Sequence, residues 1–125
     1  MNAENPQAAV ADQLHQLDEE LALSRVGGDT DLLREIAELF LADYPMTLEK
    51  IRAAVSARDA VAIEQHAHSL KGSVSTFGAQ SAFDAALALE RQGRTRELAD
   101  VEAGLRQLES ALGALRPELE SIQAR

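Results

Sequence analysis

The sequence predicts an all-α fold: an antiparallel, up-and-down four-helix bundle with additional helices at its N-terminus. Apolar residues make up 46% of the 125-residue chain and are mostly Ala and Leu, which favour helices. Aromatic residues, which favour strands, make up only 3%. The apolar residues recur at helical spacings, and the segments they define are joined by short connections. Short connections require consecutive helices to run antiparallel.

The N-terminal part is predicted to contain a disordered start and two helices. Residues 1–8 are polar and contain a proline, so we expect them to be disordered. The apolar spacing predicts a first helix over 9–23, and the glycines of segment 26–29 end it. Asp29 or Thr30 can cap the second helix, which contains LLREIAELFLADY.

Pro45 is expected to kink or break this second helix, because the residue before a proline disfavours helical geometry. A further helix is predicted over 46–57. Asp59 can cap the next helix, predicted over 59–77, and Gly78 is placed to end it.

Two more helices complete the prediction. Ser81 with Asp84 resembles a capping box that opens the first of them, and Gly93 is expected to end it. Thr95 can cap the last helix, which Pro117 is expected to limit or kink.

Charge and composition exclude several classes of function. The formal net charge is -9, which argues against binding to nucleic acids or to anionic membranes. The chain has no cysteine, and therefore no disulfide or thiolate metal site. It has no apolar segment long enough to span a membrane and no signal-peptide pattern. These features predict a soluble, cytoplasmic protein.

The segment HAHSLKGSVSTF contains the candidate chemistry. On a helix, His68 lies about 140° from the centre of the apolar stripe and His66 only about 60° from it. His68 is therefore predicted to face solvent, and His66 to pack at the edge of the core. The stripe consists of Ile63, Ala67, Leu70, Val74 and Phe77. A metal site formed by the two histidines is disfavoured, because side chains two residues apart diverge on a helix. His15 is interpreted as a solvated residue.

Gly72 favours a functional role for His68, because a glycine inside a helix costs about 1 kcal/mol of stability relative to alanine. Lys71 and Gly72 both lie one turn from His68. An imidazole, an empty space and an ammonium can together hold a phosphoryl group, and neutral histidine is a good nucleophile near neutral pH. The sequence contains no nucleotide-binding loop and no second catalytic group. It therefore predicts a phosphoryl carrier whose active site is completed by a partner.

The motifs AHSLKG and FGA resemble the signature of histidine-containing phosphotransfer (HPt) domains of bacterial multistep phosphorelays. The segments GGDTDLLREIAELFLADYP and LALERQGR also resemble this family, so the resemblance covers roughly residues 14–115. It implies a single HPt domain over 9–125, with the bundle core at about 46–115.

The resemblance implies a role for each matching residue. His68 would accept the phosphoryl group through Nε2, Lys71 would stabilise it, and Gly72 would leave room for the partner. Glu90 would accept a hydrogen bond from the other imidazole nitrogen, or be merely a solvated carboxylate. The sequence departs from the common pattern at Val74 and Ser75, where Ala and Gly are frequent in the family; Val74 is predicted to point into the core.

The family also implies the partners. These are receiver domains of response regulators and hybrid sensor histidine kinases, which dock on an apolar patch beside His68. The chain would be a monomer without a cofactor or kinase activity of its own, and Mg²⁺ would be held by the receiver. Three alternatives remain: a stand-alone carrier, favoured by Met1 and the length; a domain excised from a hybrid or chemotaxis-type kinase; and a helical interaction module with a non-functional phosphosite.

Overall fold

The computed structural model describes residues 16–125 and contains five α-helices in that part of the chain. Residues 1–15 lie outside the described part; they include the predicted disordered start, residues 9–15 of the predicted first helix and His15. The helices are α1 Glu19–Arg25, α2 Thr30–Ser56, α3 Ala60–Ser75, α4 Gln80–Thr95 and α5 Val101–Gln123.

Helices α2 to α5 form the predicted bundle. Each packs against its neighbours in sequence, and α5 also packs against α2, so that the four helices close around one core. The connections between them are three to five residues long, and consecutive helices run antiparallel. Within residues 16–125 there is no strand, and no helix combines the length and the apolar character that a membrane span requires. The predicted all-α four-helix fold is confirmed.

The core is built from leucine, alanine and a few aromatic rings. Phe40 of α2 stacks on Tyr44 at 5.2 Å between ring centroids, and it forms a T-shaped pair with Phe77 at 5.5 Å between centroids. The side chains that are most completely buried come from α2 to α5 and from the α3–α4 connection, and include Ile51, Ile63, Phe77, Leu89, Leu108, Leu115 and Leu119. Buried residues extend from Ala22 to Ile122.

The first described helix is shorter than predicted at its start. The backbone amides of residues 16 and 17 donate to the Glu118 carboxylate of α5, at 2.8 and 3.3 Å. The Asp18 amide donates to the Phe77 carbonyl, at 2.9 Å, and the Asp18 side chain caps α1. These long-range contacts hold residues 16–18 outside the helix, so the predicted continuous helix over 9–23 was wrong at this point.

Pro45 does not break the second helix, so the predicted separate helix over 46–57 was wrong: residues 46–56 continue α2. Helix α2 runs through it for 27 residues. Phe40, Tyr44, Leu48 and Ile51 are buried on one continuous face that spans the proline, which is itself exposed. Burial of this face outweighs the local cost of a proline, which is about 3 kcal/mol in a helix interior. Pro117 is similar, because α5 continues past it to Gln123.

The ends of α3 and α4 differ from several predicted signals. Asp59 caps α3 as predicted, accepting from the Ala62 amide at 3.1 Å. Helix α3 ends at Ser75, and Gly78 lies in the following turn with a φ of 60°. The predicted capping box of Ser81 and Asp84 was wrong, because α4 already begins at Gln80 without a side-chain cap.

Gly93 and Thr95 also do not act as predicted. Gly93 is buried inside α4, which continues to Thr95 and ends through Arg96 in the left-handed region. Thr95 is therefore a helical residue, and α5 begins only after Asp100. Glycine at position 93 is explained by its neighbour: a Cβ there would lie 2.7 Å from the Ala60 carbonyl oxygen of α3.

We expect Pro45→Ala to stabilise the protein by roughly 1–3 kcal/mol, as measured by chemical unfolding. Alanine restores an amide donor to the Leu41 carbonyl and removes the ring from the helix. The substitution also increases the conformational entropy of the unfolded chain, which offsets about 0.4–1 kcal/mol of the gain. Lys50→Ala, on an exposed site of the same helix, serves as the control and should change stability by less than about 0.5 kcal/mol. Destabilisation by Pro45→Ala would contradict the argument.

Candidate functional site

Helix α3 presents His68 to solvent because its opposite face is anchored in the core. Ile63, Ala67, Leu70 and Val74 are buried, with at most 2% of their surface exposed. This stripe fixes the rotation of the helix about its axis, so residue 68 must point outward. The His68 side chain is 67% exposed, whereas His66 is half-buried at the edge of the stripe. The helical phase predicted for both histidines matches their positions, and Val74 points into the core.

Glu90 of α4 lies beside His68 and is the only buried charged residue in the described part of the chain. Its side chain is 3% exposed, and Oε2 lies 2.9 Å from Nδ1 of His68. The solvated carboxylate considered as an alternative from the sequence is therefore not what the structure contains. Nε2 of the imidazole is on the opposite side of the ring and carries no contact with Glu90.

Two cations compensate the buried carboxylate. Lys71 Nζ lies 2.7 Å from Oε1, and Arg94 Nη2 lies 2.7 Å from Oε2. Lys71 is only 20% exposed, and its ammonium also lies over the Phe83 ring, 5.9 Å from the centroid. Arg94 extends the network to α3, because its Nε donates to Glu64 at 3.1 Å. The carboxylate is thus held from both helices.

The environment of Glu90 determines its protonation state. Burial alone would raise the pKa of the Glu90 carboxyl, but Lys71 and His68 together lower it by more, so its pKa lies below that of an ordinary glutamate. The carboxylate is ionised at neutral pH and can only accept hydrogen bonds. Nδ1 of neutral His68 must therefore carry the proton, which leaves the lone pair on the exposed Nε2.

Gly72 lies on the same exposed face, one turn from His68. Apart from its chain neighbours and the nearby backbone of α3 itself, a Cβ at this position would meet no atom within 4 Å. Packing inside the domain therefore does not require a glycine here. The space beside the imidazole is open on its solvent side.

The site brings together three of the four candidate residues, since His68, Lys71 and Glu90 are in direct contact while Gly72 borders them. Sequence reasoning assigned no role to Arg94 or Glu64. The spacing of Glu90 and Arg94, four residues apart on one helix, was a signal that could have identified the first of these. Within residues 16–125, no group of three or more His, Cys, Asp or Glu side chains is arranged to hold a metal ion.

The sequence profile of the Hpt domain matches residues 35–118, which include every residue of this site. The chain belongs to the Hpt domain family. Membership supports a histidine phosphotransfer role in a two-component phosphorelay. No curated protein sequence matches the chain significantly.

Two solved structures share the fold of this Hpt domain. Histidine-containing phosphotransfer protein B from Pseudomonas aeruginosa PAO1 is 28% identical, with a TM-score of 0.81 over 88% of this chain and 96% of that one. The HPT domain of a sensor hybrid histidine kinase from Shewanella is 21% identical, with a TM-score of 0.78 over 89% of this chain and 96% of that one. The second similarity concerns the fold alone.

We expect Glu90→Gln to destabilise the Hpt domain at neutral pH, and this effect to diminish in acid. A carboxyl with a lowered pKa in the folded state contributes stability above its pKa in the unfolded chain. That contribution is lost as the pH falls through the lower, folded-state value. Thermal unfolding of both proteins from about pH 7 to about pH 3 measures the difference.

Glu97→Gln, which changes an exposed carboxylate in the α4–α5 connection, is the matched control and should follow the wild type throughout. A difference between Glu90→Gln and the wild type that stays constant over this pH range would contradict the role given to the Glu90 charge.

Proposed function

We propose that this protein carries a phosphoryl group on Nε2 of His68 between receiver-domain aspartates of a sensor kinase and a response regulator. The observation that carries the proposal is the pairing of an exposed imidazole with a buried carboxylate, at 2.9 Å between Nδ1 and Oε2. Membership of the Hpt family supports the same chemistry. The P. aeruginosa structure with the same fold is itself described as a histidine-containing phosphotransfer protein.

The transfer step follows from the proton position on the ring. The Nε2 lone pair attacks phosphorus of a receiver's aspartyl phosphate, a P–N bond forms, and the P–O bond to the aspartate breaks. The aspartate leaves as a carboxylate, so no proton has to be removed from His68. Nδ1 keeps its proton, and the positive charge that develops on the ring faces the Glu90 carboxylate. The reverse sequence returns the phosphoryl group to a second receiver.

Lys71 is suited to stabilise the phosphoryl group. Its ammonium is already held within the site by Glu90, at 2.7 Å, and one such contact uses only part of its three donors. The remaining donors can contact a phosphoryl oxygen on His68. Holding the cation in advance reduces the ordering that transfer requires.

The surface around His68 fits a docked receiver domain. The space in front of Gly72 is open, and Val61, one of the exposed large apolar residues, lines the shallow pocket that contains His68. On the other side of α3, a groove of about 220 Å³ toward α2 is lined by Ser69, Ser73 and the exposed Leu39. An apolar surface with a polar rim on both sides of the nucleophile is typical of protein docking. We propose a receiver as the occupant because the first feature contains His68 and the second borders the same helix at the adjacent residue Ser69.

This chain would need no cofactor of its own, and Mg²⁺ would be held by the receiver, where it offsets phosphoryl charge. A carrier in a relay and a domain belonging to a hybrid or chemotaxis-type kinase differ in their phosphoryl donor. Phosphorylated receiver domains and kinase domains, each added separately to the protein, distinguish them by which one labels His68.

We expect His68→Gln to abolish labelling by phosphorylated receivers while the helical circular-dichroism spectrum and the melting temperature stay near those of the wild type. The side chain is exposed, so its loss removes the nucleophile without opening the core. His66→Gln, two residues away on the same helix, is the control and should still be labelled. Labelling of His68→Gln at the wild-type rate would refute the assignment and favour a helical interaction module.

We expect Lys71→Ala to slow phosphotransfer, or to shorten the lifetime of phosphohistidine, by about tenfold or more. A hydrogen bond to a charged group contributes about 1.5–3 kcal/mol, which corresponds to at least that factor. Lys50→Ala, which removes an exposed lysine from α2, should leave both quantities unchanged. Equal kinetics for Lys71→Ala and the wild type would remove the proposed role of this ammonium.

A further inference from the structure

The backbones of α3 and α4 come close together at Gly93. A Cβ added there would lie 2.7 Å from the carbonyl oxygen of Ala60 and 2.7 Å from the amide nitrogen of Glu64. Both atoms belong to the backbone of α3, which cannot move aside as a flexible side chain can. Any side chain at position 93 would therefore force the two helices apart.

This contact lies one helical turn from the hydrogen bond between His68 and Glu90. His68 follows Glu64 by four residues on α3, and Glu90 precedes Gly93 by three residues on α4. Because the two helices run antiparallel, both steps go in the same direction along the interface. The spacing at Gly93 is therefore transmitted directly to the spacing between the imidazole and the carboxylate.

The hydrogen bond between His68 and Glu90 tolerates little additional distance. The distance of 2.9 Å from Nδ1 to Oε2 is already that of an ordinary hydrogen bond, and an increase of a few tenths of an ångström weakens such a bond. Arg94 restrains the carboxylate further, since it binds Glu90 Oε2 and Glu64 at the same level as Gly93. Glu90 cannot simply follow a displaced His68.

We propose that Gly93 is a positioning residue: the absence of its side chain keeps α4 close enough to α3 for Glu90 to hold the proton on Nδ1 of His68. This inference rests on the proposed function for its consequence, which is that Nε2 remains the free nucleophile for phosphoryl transfer. It can be tested separately from that function, because the proton position on His68 can be measured in the unphosphorylated protein.

The test compares three helical glycines by the same substitution. Long-range ¹H–¹⁵N correlation spectra, recorded at about pH 8, report which ring nitrogen of His68 carries the proton. Phosphotransfer from a phosphorylated receiver domain is measured on the same proteins. Gly93→Ala is expected to raise the fraction of His68 protonated on Nε2 and to slow transfer by about tenfold, the equivalent of one charge-assisted hydrogen bond.

The other two substitutions are matched controls, because a Cβ at Gly72 or Gly113 meets nothing within 4 Å beyond its chain neighbours and its own helix backbone. Gly72→Ala is expected to keep the wild-type tautomer and to slow transfer only, since it narrows the space on the partner's side. Gly113→Ala, on α5, is expected to change neither quantity. A wild-type tautomer in folded Gly93→Ala would overturn the inference, as would a wild-type His68 that is not protonated mainly on Nδ1.

Glu90→Asp provides a second test that leaves the helix contact intact, in case Gly93→Ala does not fold. It withdraws the carboxylate by one methylene, and the inference expects the same shift of the His68 tautomer. An unchanged tautomer in Glu90→Asp would mean that the proton position on His68 does not depend on the distance to the carboxylate. That result would overturn the inference. If no receiver labels even the wild type, the proposed function fails while the tautomer comparison still decides the role of Gly93.

Discussion

The buried carboxylate of Glu90 is the interaction on which the site depends. A charge removed from water is strongly unfavourable unless other groups compensate it. Here the compensation comes from both helices, through His68 and Lys71 of α3 and through Arg94 of α4 itself. One carboxylate therefore fixes the orientation of the imidazole, holds an ammonium beside it and ties the two helices together at the surface that carries His68.

The bundle makes this arrangement rigid. The apolar stripe of α3 is buried against its neighbours, so the helix cannot rotate and carry His68 away from Glu90. Glu90 in turn lies between the buried residues Leu89 and Gly93 on α4, which keeps its side chain directed at α3. The imidazole of His68 is exposed, but the carboxylate that it contacts is part of the core boundary.

Helical phase could be predicted from the sequence, because it depends only on the spacing of apolar residues, and it separated His68 from His66 correctly. Features decided by long-range contacts could not be predicted. Considered locally, Pro45 predicts a helix break, yet the burial of apolar side chains on both sides of it keeps α2 continuous. Gly93 reads as a helix end, and only the backbone of α3 reveals it as a contact. Thr95 offered a plausible cap that the chain does not use.

The glycines of the helices illustrate why one residue type can have opposite meanings. Gly93 faces the backbone of α3, so its missing side chain is required by the protein itself. Gly72 faces open space, so nothing inside the described chain requires its missing side chain. Along α3, Gly93 packs at Glu64, one turn before His68, whereas Gly72 lies one turn after it. In the roles proposed above, the first would let the fold hold the proton on Nδ1 of His68, and the second would leave Nε2 accessible to a receiver domain.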